Sequence, residues 1–350
     1  MKDAVDENFN SRQYYLDILR IIACFMVIMI HIISMDFNNY LPATNEWKVM
    51  NSYDSIIRYS VPLFYMISGA LFLGSNSSIS IKKLYLNKIF HLLILYIVWS
   101  IFYAVDDIGV NITINNIKLL IEKSWYHKYY MWFIPSIITI YILAPVLYTI
   151  VHNDEKIFKY IITVFILFGI IKSSIIIIPF LNHDVIDFIN RFNVDLCQGC
   201  GYFMLGYYLS KVNLRNVNLR GLLILLIVLF GTSIKVNELY AVFYNESSGL
   251  LYGYYNCFTC AEGIIVFLLI RKALQNIKLN NIWVVLSKCS LGIYLIHPFI
   301  IEHLYFNFGF NINFCNPAIS ILILTLLVFL VSFILIFILH KIPILNKILV

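Results

Sequence analysis

The sequence predicts an all-α integral membrane protein of about ten transmembrane helices, and three observations carry that prediction. Apolar residues make up 61% of the 350 residues and charged residues only 13%, and the mean hydropathy of +0.83 lies far from that of a soluble domain. The apolar residues gather in runs of about 18 to 25, the length that crosses a bilayer as a helix. The basic residues cluster between those runs, so the net charge of +6 reads as loop charge and predicts no nucleic-acid partner.

The runs lie near residues 15–35, 53–74, 88–105, 129–151, 157–180, 196–212, 219–236, 251–270, 283–306 and 317–340. A tail at 1–12 precedes them, with Asp3, Asp6 and Glu7 but none of the basic start of a signal peptide. The first run is therefore expected to stay as an anchor and to open a transmembrane domain over 13–350. It is impure, carrying Asp17, Arg20 and His31. Arg20 and His31 are eleven residues apart, so on a helix they differ by ~20° in direction and ~16 Å along the axis. Ionisable groups in a membrane are costly, and one face that keeps two of them predicts an active site or a polar pathway. The sixth run is short and rich in glycine, and either packs closely on a neighbour or is partly re-entrant. The eighth holds Glu262, a lone carboxylate well inside a span and so a functional candidate.

Loop charge orients the chain. With the N-terminus inside, seventeen of the 25 Lys and Arg residues fall on the inner side, and the acidic loops with Asp106, Asp107, Asp184, Asp187, Asp195, Glu238 and Glu246 fall outside. Both termini are expected in the cytoplasm, with the Lys82 to Lys88 loop inside and the Asn111 to Lys128 loop outside. The seven cysteines include two C-x-x-C pairs, Cys197/Cys200 and Cys257/Cys260. Both pairs start apolar spans without a flanking His, so they are read as small packing residues, and no metal site is expected. No P-loop, G-x-S-x-G elbow or H-E-x-x-H occurs.

The ordered motifs carry a family resemblance. RQYYLDILRIIACFMVIMIHI, with a basic residue and a histidine ten intervening residues later, resembles the opening helix of the membrane acyltransferase-3 family. RYSVPLFYMISGALFLG resembles its second span through Pro62, Phe64, Ser68 and Gly69. MWFIPSIITIYILAPVL does so through Trp132, Phe133, Tyr141 and Pro145, and KCSLGIYLIHPFII through Ser290, Gly292, Tyr294, His297 and Pro298. The closing KIPILNKIL has the same look, so the resemblance runs from about Gln13 to the end.

The resemblance implies an acyltransferase that moves an acyl group, usually acetyl, from cytoplasmic acyl-CoA to a hydroxyl of an envelope glycan or lipid-linked sugar. It implies a multi-pass protein of a bacterial plasma membrane, with acyl-CoA as donor substrate and no permanently bound cofactor. Arg20 suits the CoA phosphates, because its planar fork binds phosphate bidentately and keeps its charge. His31 then serves either as general base for the acceptor hydroxyl or as the carrier of a covalent acyl group. Ser68 and Gly69 are expected either beside the pantetheine arm or in small-residue packing. Trp132 and Tyr141 are placed near substrate or in an aromatic belt, Tyr294 and His297 in a supporting role across the bundle, and Asp17 near substrate or in a supporting role. One departure stands out. Where the family commonly carries two arginines spaced R-x-x-R, this chain reads Lys88-Ile-Phe-His91, so donor binding there is weaker or differently arranged, with Lys82 and Lys83 nearby. The alternative from another class is a transporter or flippase of a glycan or lipid intermediate, which also needs many spans and buried ionisable groups. The second half of the chain holds no repeat of the first-span motif, which disfavours it.

Overall fold

The computed structural model describes residues 12–75, 80–108, 129–178, 181–191, 198–247 and 249–342. The tail before Arg12, the expected outer loop from Asn111 to Lys128, Asp195, Cys197 and the closing segment from Pro343 lie outside the described residues. Among the described residues every regular element is helical. Helices α1 (Tyr14–Asp36), α2 (Asn45–Ile57) and α3 (Ser60–Leu73) come first. Helix α4 (Ile81–Leu84) runs through a π-helical turn, Tyr85–Ile89, into α5 (Phe90–Ile108). A 3-10 turn, Tyr129–Trp132, leads into α6 (Phe133–Asn153). Helix α7 (Glu155–Val164) continues through a second π-helical stretch, Phe165–Ile171, into α8 (Lys172–Ile176). There follow α9 (His183–Asn190), α10 (Gln198–Lys211), α11 (Leu219–Tyr244) and α12 (Cys257–Leu274). The chain closes with α13 (Asn281–Lys288), α14 (Ser290–Phe306) and α15 (Pro317–Lys341).

Polar caps begin many of these helices, because the first N–H groups of a helix need acceptors that an apolar run does not supply. Thr44 accepts from Trp47 N–H, Asp154 from Lys156 and Ile157, Asn218 from Arg220 and Gly221, and Asn256 from Thr259. Seven stretches are long and apolar enough to cross a membrane, or eight if α13 and α14, bent by 61° at Cys289, form one span. The two remaining expected spans are helices of a different kind. Helix α10 has only 14 described residues, and α12 carries Glu262, Arg271 and Lys272. Three stretches expected to be connections are also helical: the part of α2 before residue 53, α9, and the Lys82 to Lys88 segment, whose π turn continues unbroken into α5.

Helix α1 is the hub, packed against α2, α3, α12, α13, α14 and α15. Helices α3 and α10 are pressed together at glycines. A Cβ on Gly69 would lie 1.7 Å from the Phe203 carbonyl oxygen, and one on Gly206 would lie 2.0 Å from that of Met66. The close packing expected of the glycine-rich sixth run is seen at this crossing. The outward faces are apolar, with Leu322, Leu326, Leu330 and Ile334 of α15 and Ile224, Ile227 and Val228 of α11 exposed. Continuous apolar surface of this kind is matched to lipid rather than to water.

Candidate functional site

A cavity of about 350 Å³ opens against one stripe of α1, where Arg20, Val27 and His31 recur at helical spacing. Its lining gathers most of the residues expected from the sequence: Arg20, His31, Ser68, Lys88, His91, Trp132, Tyr141 and Tyr294. It also brings in residues the sequence reading passed over as site groups, chiefly Asn87, Tyr130, Tyr254, Ser287, Lys288 and Ser290.

The cavity is polarised along α1. At the Arg20 end the guanidinium Nη1 donates to Ser287 Oγ at 3.1 Å, and Ser287 Oγ donates to Asp17 Oδ1 at 2.7 Å. Asp17 is held from its other side by Arg12, whose Nε and Nη2 each donate at 2.7 Å. Asp17 therefore lies outside the cavity lining and beside Arg20 through one serine, as a supporting charge. One carboxylate thus serves two guanidiniums, and the Arg12–Asp17–Arg20 cluster keeps a net positive charge for a ligand. Lys88 Nζ lies 4.6 Å from the centre of the Phe72 ring and 5.8 Å from that of Tyr141, a cation held over two aromatic faces. The Tyr141 phenol is in hydrogen-bonding reach of Ser68. The π turn carries Asn87 and Lys88 to the cavity with His91 one turn on; extra-residue turns of this type recur at functional sites because they re-aim side chains within a helix. A second cavity of about 340 Å³, lined by Arg12, Gln13, Asp17, Gly74 and Ser75 among others, meets the first at Arg20.

The His31 end is aromatic. The Tyr130 ring stands edge-on to His31 at 4.7 Å, and the His297 ring lies 5.1 Å away at 32°. Tyr294 donates its hydroxyl to the Tyr130 carbonyl, tying α14 to the turn before α6. Trp132 stacks on Tyr254 at 5.7 Å, and Phe133 meets Tyr294 at 5.9 Å. Trp132 thus joins the cavity wall rather than a peripheral belt.

Besides Asp17, three expected residues sit elsewhere. Gly69 faces α10, so of the Ser68-Gly69 pair the serine meets the cavity and the glycine makes the helix crossing. Glu262 is 1% exposed in α12 and accepts from Ser233 of α11 at 3.0 Å, away from the cavity lining. His297 is fully buried behind His31 and is not part of the lining. Of the C-x-x-C cysteines, Cys257 accepts from Ser174 Oγ at 3.0 Å and Cys260 is buried one turn along α12. Among the described residues one group, Asp106, Asp107 and Glu302, has its carboxylate oxygens within 4.8 Å of one another, at the ends of α5 and α14 and apart from the cavity.

Some of the missed residues left a trace in the sequence. Ser287 and Ser290 stand on either side of Lys288 and Cys289 at the start of the S-x-G-I-Y-L-I-H-P segment, a legible polar cluster in an otherwise apolar run, although the structure puts them on two helices, α13 and α14, bent by 61°. Tyr254 left none, because it comes from the connection before α12 and reaches the site only through tertiary packing.

No curated protein and no solved structure matches the chain. The family model described as an acyltransferase domain matches residues 13–339, nearly the whole of it. That extent covers both the Arg20 and His31 stripe of α1 and the α13 to α15 segment that packs on it, and the chain accordingly belongs to the acyltransferase-3 family of membrane acyltransferases.

Proposed function

We propose that this protein transfers an acyl group, acetyl in the first instance, from acyl-CoA to a hydroxyl of an envelope glycan or lipid-linked sugar at the plasma membrane. The observation that supports this reading best is the single cavity with a cationic end at Arg20 and Lys88 and an imidazole end at His31. The ~16 Å of helix rise between Arg20 and His31 is of the order of an extended pantetheine arm. With both termini cytoplasmic, the phosphates enter from the inner side and bind Arg20 and the Asn87 to His91 turn. The thioester is then carried along the α1 stripe toward His31, past Ser68 and Tyr141.

In direct transfer the acceptor oxygen bonds to the thioester carbonyl carbon, the carbon–sulfur bond breaks, and the hydroxyl proton passes to His31 and on to the departing thiolate. The products are the ester and the free CoA thiol. In the two-step route His31 Nε2 bonds to the thioester carbon as the carbon–sulfur bond breaks and the thiolate departs; the acceptor oxygen then bonds to the same carbon as the nitrogen–carbon bond breaks, and the hydroxyl proton passes to the thiolate, giving the same ester and CoA thiol. The aromatic walls formed by Trp132 and Tyr254 offer faces on which a sugar ring can lie.

The test is turnover by purified protein in vesicles with radiolabelled acetyl-CoA and an envelope glycan fraction. Acyl transfer with release of CoA thiol is expected, falling by roughly 10²- to 10⁴-fold in His31→Ala, the share a general base contributes. Near-normal turnover in that variant overturns the role of His31. Absence of any acyl transfer or thiol release by the parent, together with envelope glycans of unchanged acyl mass in cells that lack the protein, overturns the reading as a whole.

A further inference from the structure

His31 and His297 each bury one ring nitrogen that has no hydrogen-bond partner among the described residues, His31 at Nδ1 and His297 at Nε2. Such an orphan is costly inside a protein, and two of them on rings 5.1 Å apart point to one explanation for both. The chemistry of the neighbours narrows it. His297 Nδ1 lies 2.6 Å from the Tyr294 carbonyl oxygen, which can only accept, so Nδ1 carries the proton and Nε2 of the neutral ring is an acceptor. Two other neighbours of His31 do not serve as acceptors for its Nδ1. Tyr130 meets the imidazole through its ring, with its hydroxyl 4.0 Å from Met35 Sδ, and Arg58, whose charge acts on His31, is donor-only and paired with Asp54.

We propose that His297 is the positioning residue of His31: the two orphaned nitrogens are not bonded to each other, and the His297 Nε2 receives the His31 Nδ1–H through one bridging water, which fixes the tautomer in which His31 Nε2 presents its lone pair to the cavity. The inference rests on the acyltransferase reading above. Both routes need that tautomer. In direct transfer, His31 Nε2 takes the acceptor's hydroxyl proton as the new carbon–oxygen bond forms and the carbon–sulfur bond breaks, and the proton then goes to the thiolate. The Nδ1–H meanwhile stays on His31, its bond to the bridging water strengthened while the ring is positively charged. In the two-step route the same Nε2 attacks the thioester carbon. The Tyr294 carbonyl that orients His297 belongs to the residue whose hydroxyl anchors Tyr130, so one turn of α14 sets both rings that face His31.

Two measurements test this. The first does not depend on activity: the ¹⁵N spectrum of histidine-labelled parent protein in lipid, with the His31 signals assigned by their loss in His31→Gln. A protonated Nδ1 and a bare Nε2 on His31 are expected, and a protonated Nε2 overturns the proposal. The second is kinetic. His297→Phe, which keeps the bulk and removes the acceptor, is expected to lower kcat at least about 10-fold, part of what a general base supplies, with KM for acetyl-CoA within about 2-fold of the parent. His297→Gln, whose side-chain oxygen can stand near the lost Nε2, is expected to recover most of the rate. Parent-like kcat in His297→Phe, or equal losses in both variants with a lowered melting temperature, overturns it in favour of a packing role. Should His297→Phe fail to fold, the parent spectrum decides alone. A parent with the expected tautomer but no acyl transfer would refute the proposed function while leaving the histidine pair intact.

Discussion

Arg20 stands where two cavities meet, and the way it is held explains why a cation survives inside a bundle of apolar helices. Its hydrogen bond to Ser287 and the bond of Ser287 to Asp17 orient the guanidinium, and because Arg12 also binds both Asp17 oxygens the three-residue cluster keeps a net positive charge. Removing Arg20 should therefore act on the donor. In Arg20→Ala the KM for acyl-CoA is expected to rise more than in Lys88→Ala, and Ser287→Ala should give a milder form of the Arg20 effect because the charge remains but its aim is lost. His91→Arg adds a permanent bidentate phosphate donor to the same turn and is expected to lower KM or leave it unchanged. Added salt should weaken donor binding in the parent. These KM values come from initial rates over a range of acyl-CoA concentrations. If Lys88→Ala leaves KM untouched while His91→Arg raises it, the turn binds no donor. The pairing of Arg20 with His31 was legible because an eleven-residue interval is a property of the helix itself. The link from Arg20 to Ser287 was not, since nothing local to a serine in an apolar run marks it as the partner of a residue 267 positions away.

Helix contacts impose their own requirement, most sharply where α3 crosses α10. The backbones touch at Gly69 and at Gly206, so a methyl group at either position forces the pair apart. Gly69→Ala and Gly206→Ala are each expected to cost at least about 1–3 kcal/mol, as overpacked sites do. The double variant should lose less than the sum, since one separation of the helices relieves both clashes. Thermal unfolding in detergent followed by fluorescence measures this, and full additivity would show that the two glycines serve separate contacts. Because Ser68 precedes Gly69 on α3 and lines the cavity, the same variants should also lose activity. The small residues of these two runs were readable as packing. The π turn at Tyr85–Ile89 was not, because no residue type specifies one; it arises where a helix must re-aim polar side chains while staying packed, and there it turned an expected loop into a wall of the site.

For the molecule as a whole the apolar pattern fixed the class and the placement of nearly every helix, while the number of full crossings was less readable. Helices α10 and α12 carry the features that blur the count, shortness in one and three charged residues in the other, and both are shielded by neighbours instead of relying on their own apolarity. The basic residues predict which side is which: cysteines placed in the Lys82 to Lys88 segment should resist an impermeant reagent added outside, and cysteines placed between Asn111 and Lys128 should react with it, on a background without native cysteines. Outside labelling in the Lys82 to Lys88 segment reverses that orientation.

The place of α1 at the hub also has a temporal meaning. It leaves the ribosome before the helices that enclose it, since several of those surfaces belong to α12 through α15, more than 200 residues further on. Until Ser287 is synthesised, Arg20 lacks the hydroxyl that aims it, and until α14 arrives His31 has neither Tyr294 nor His297 nearby. The nascent chain thus carries the polar α1 through the synthesis of about 250 further residues before these partners are present. Any product that stops short of α13 carries the signature residues of the site without a site, and presents to the membrane's quality control a helix with its charges still unpacked.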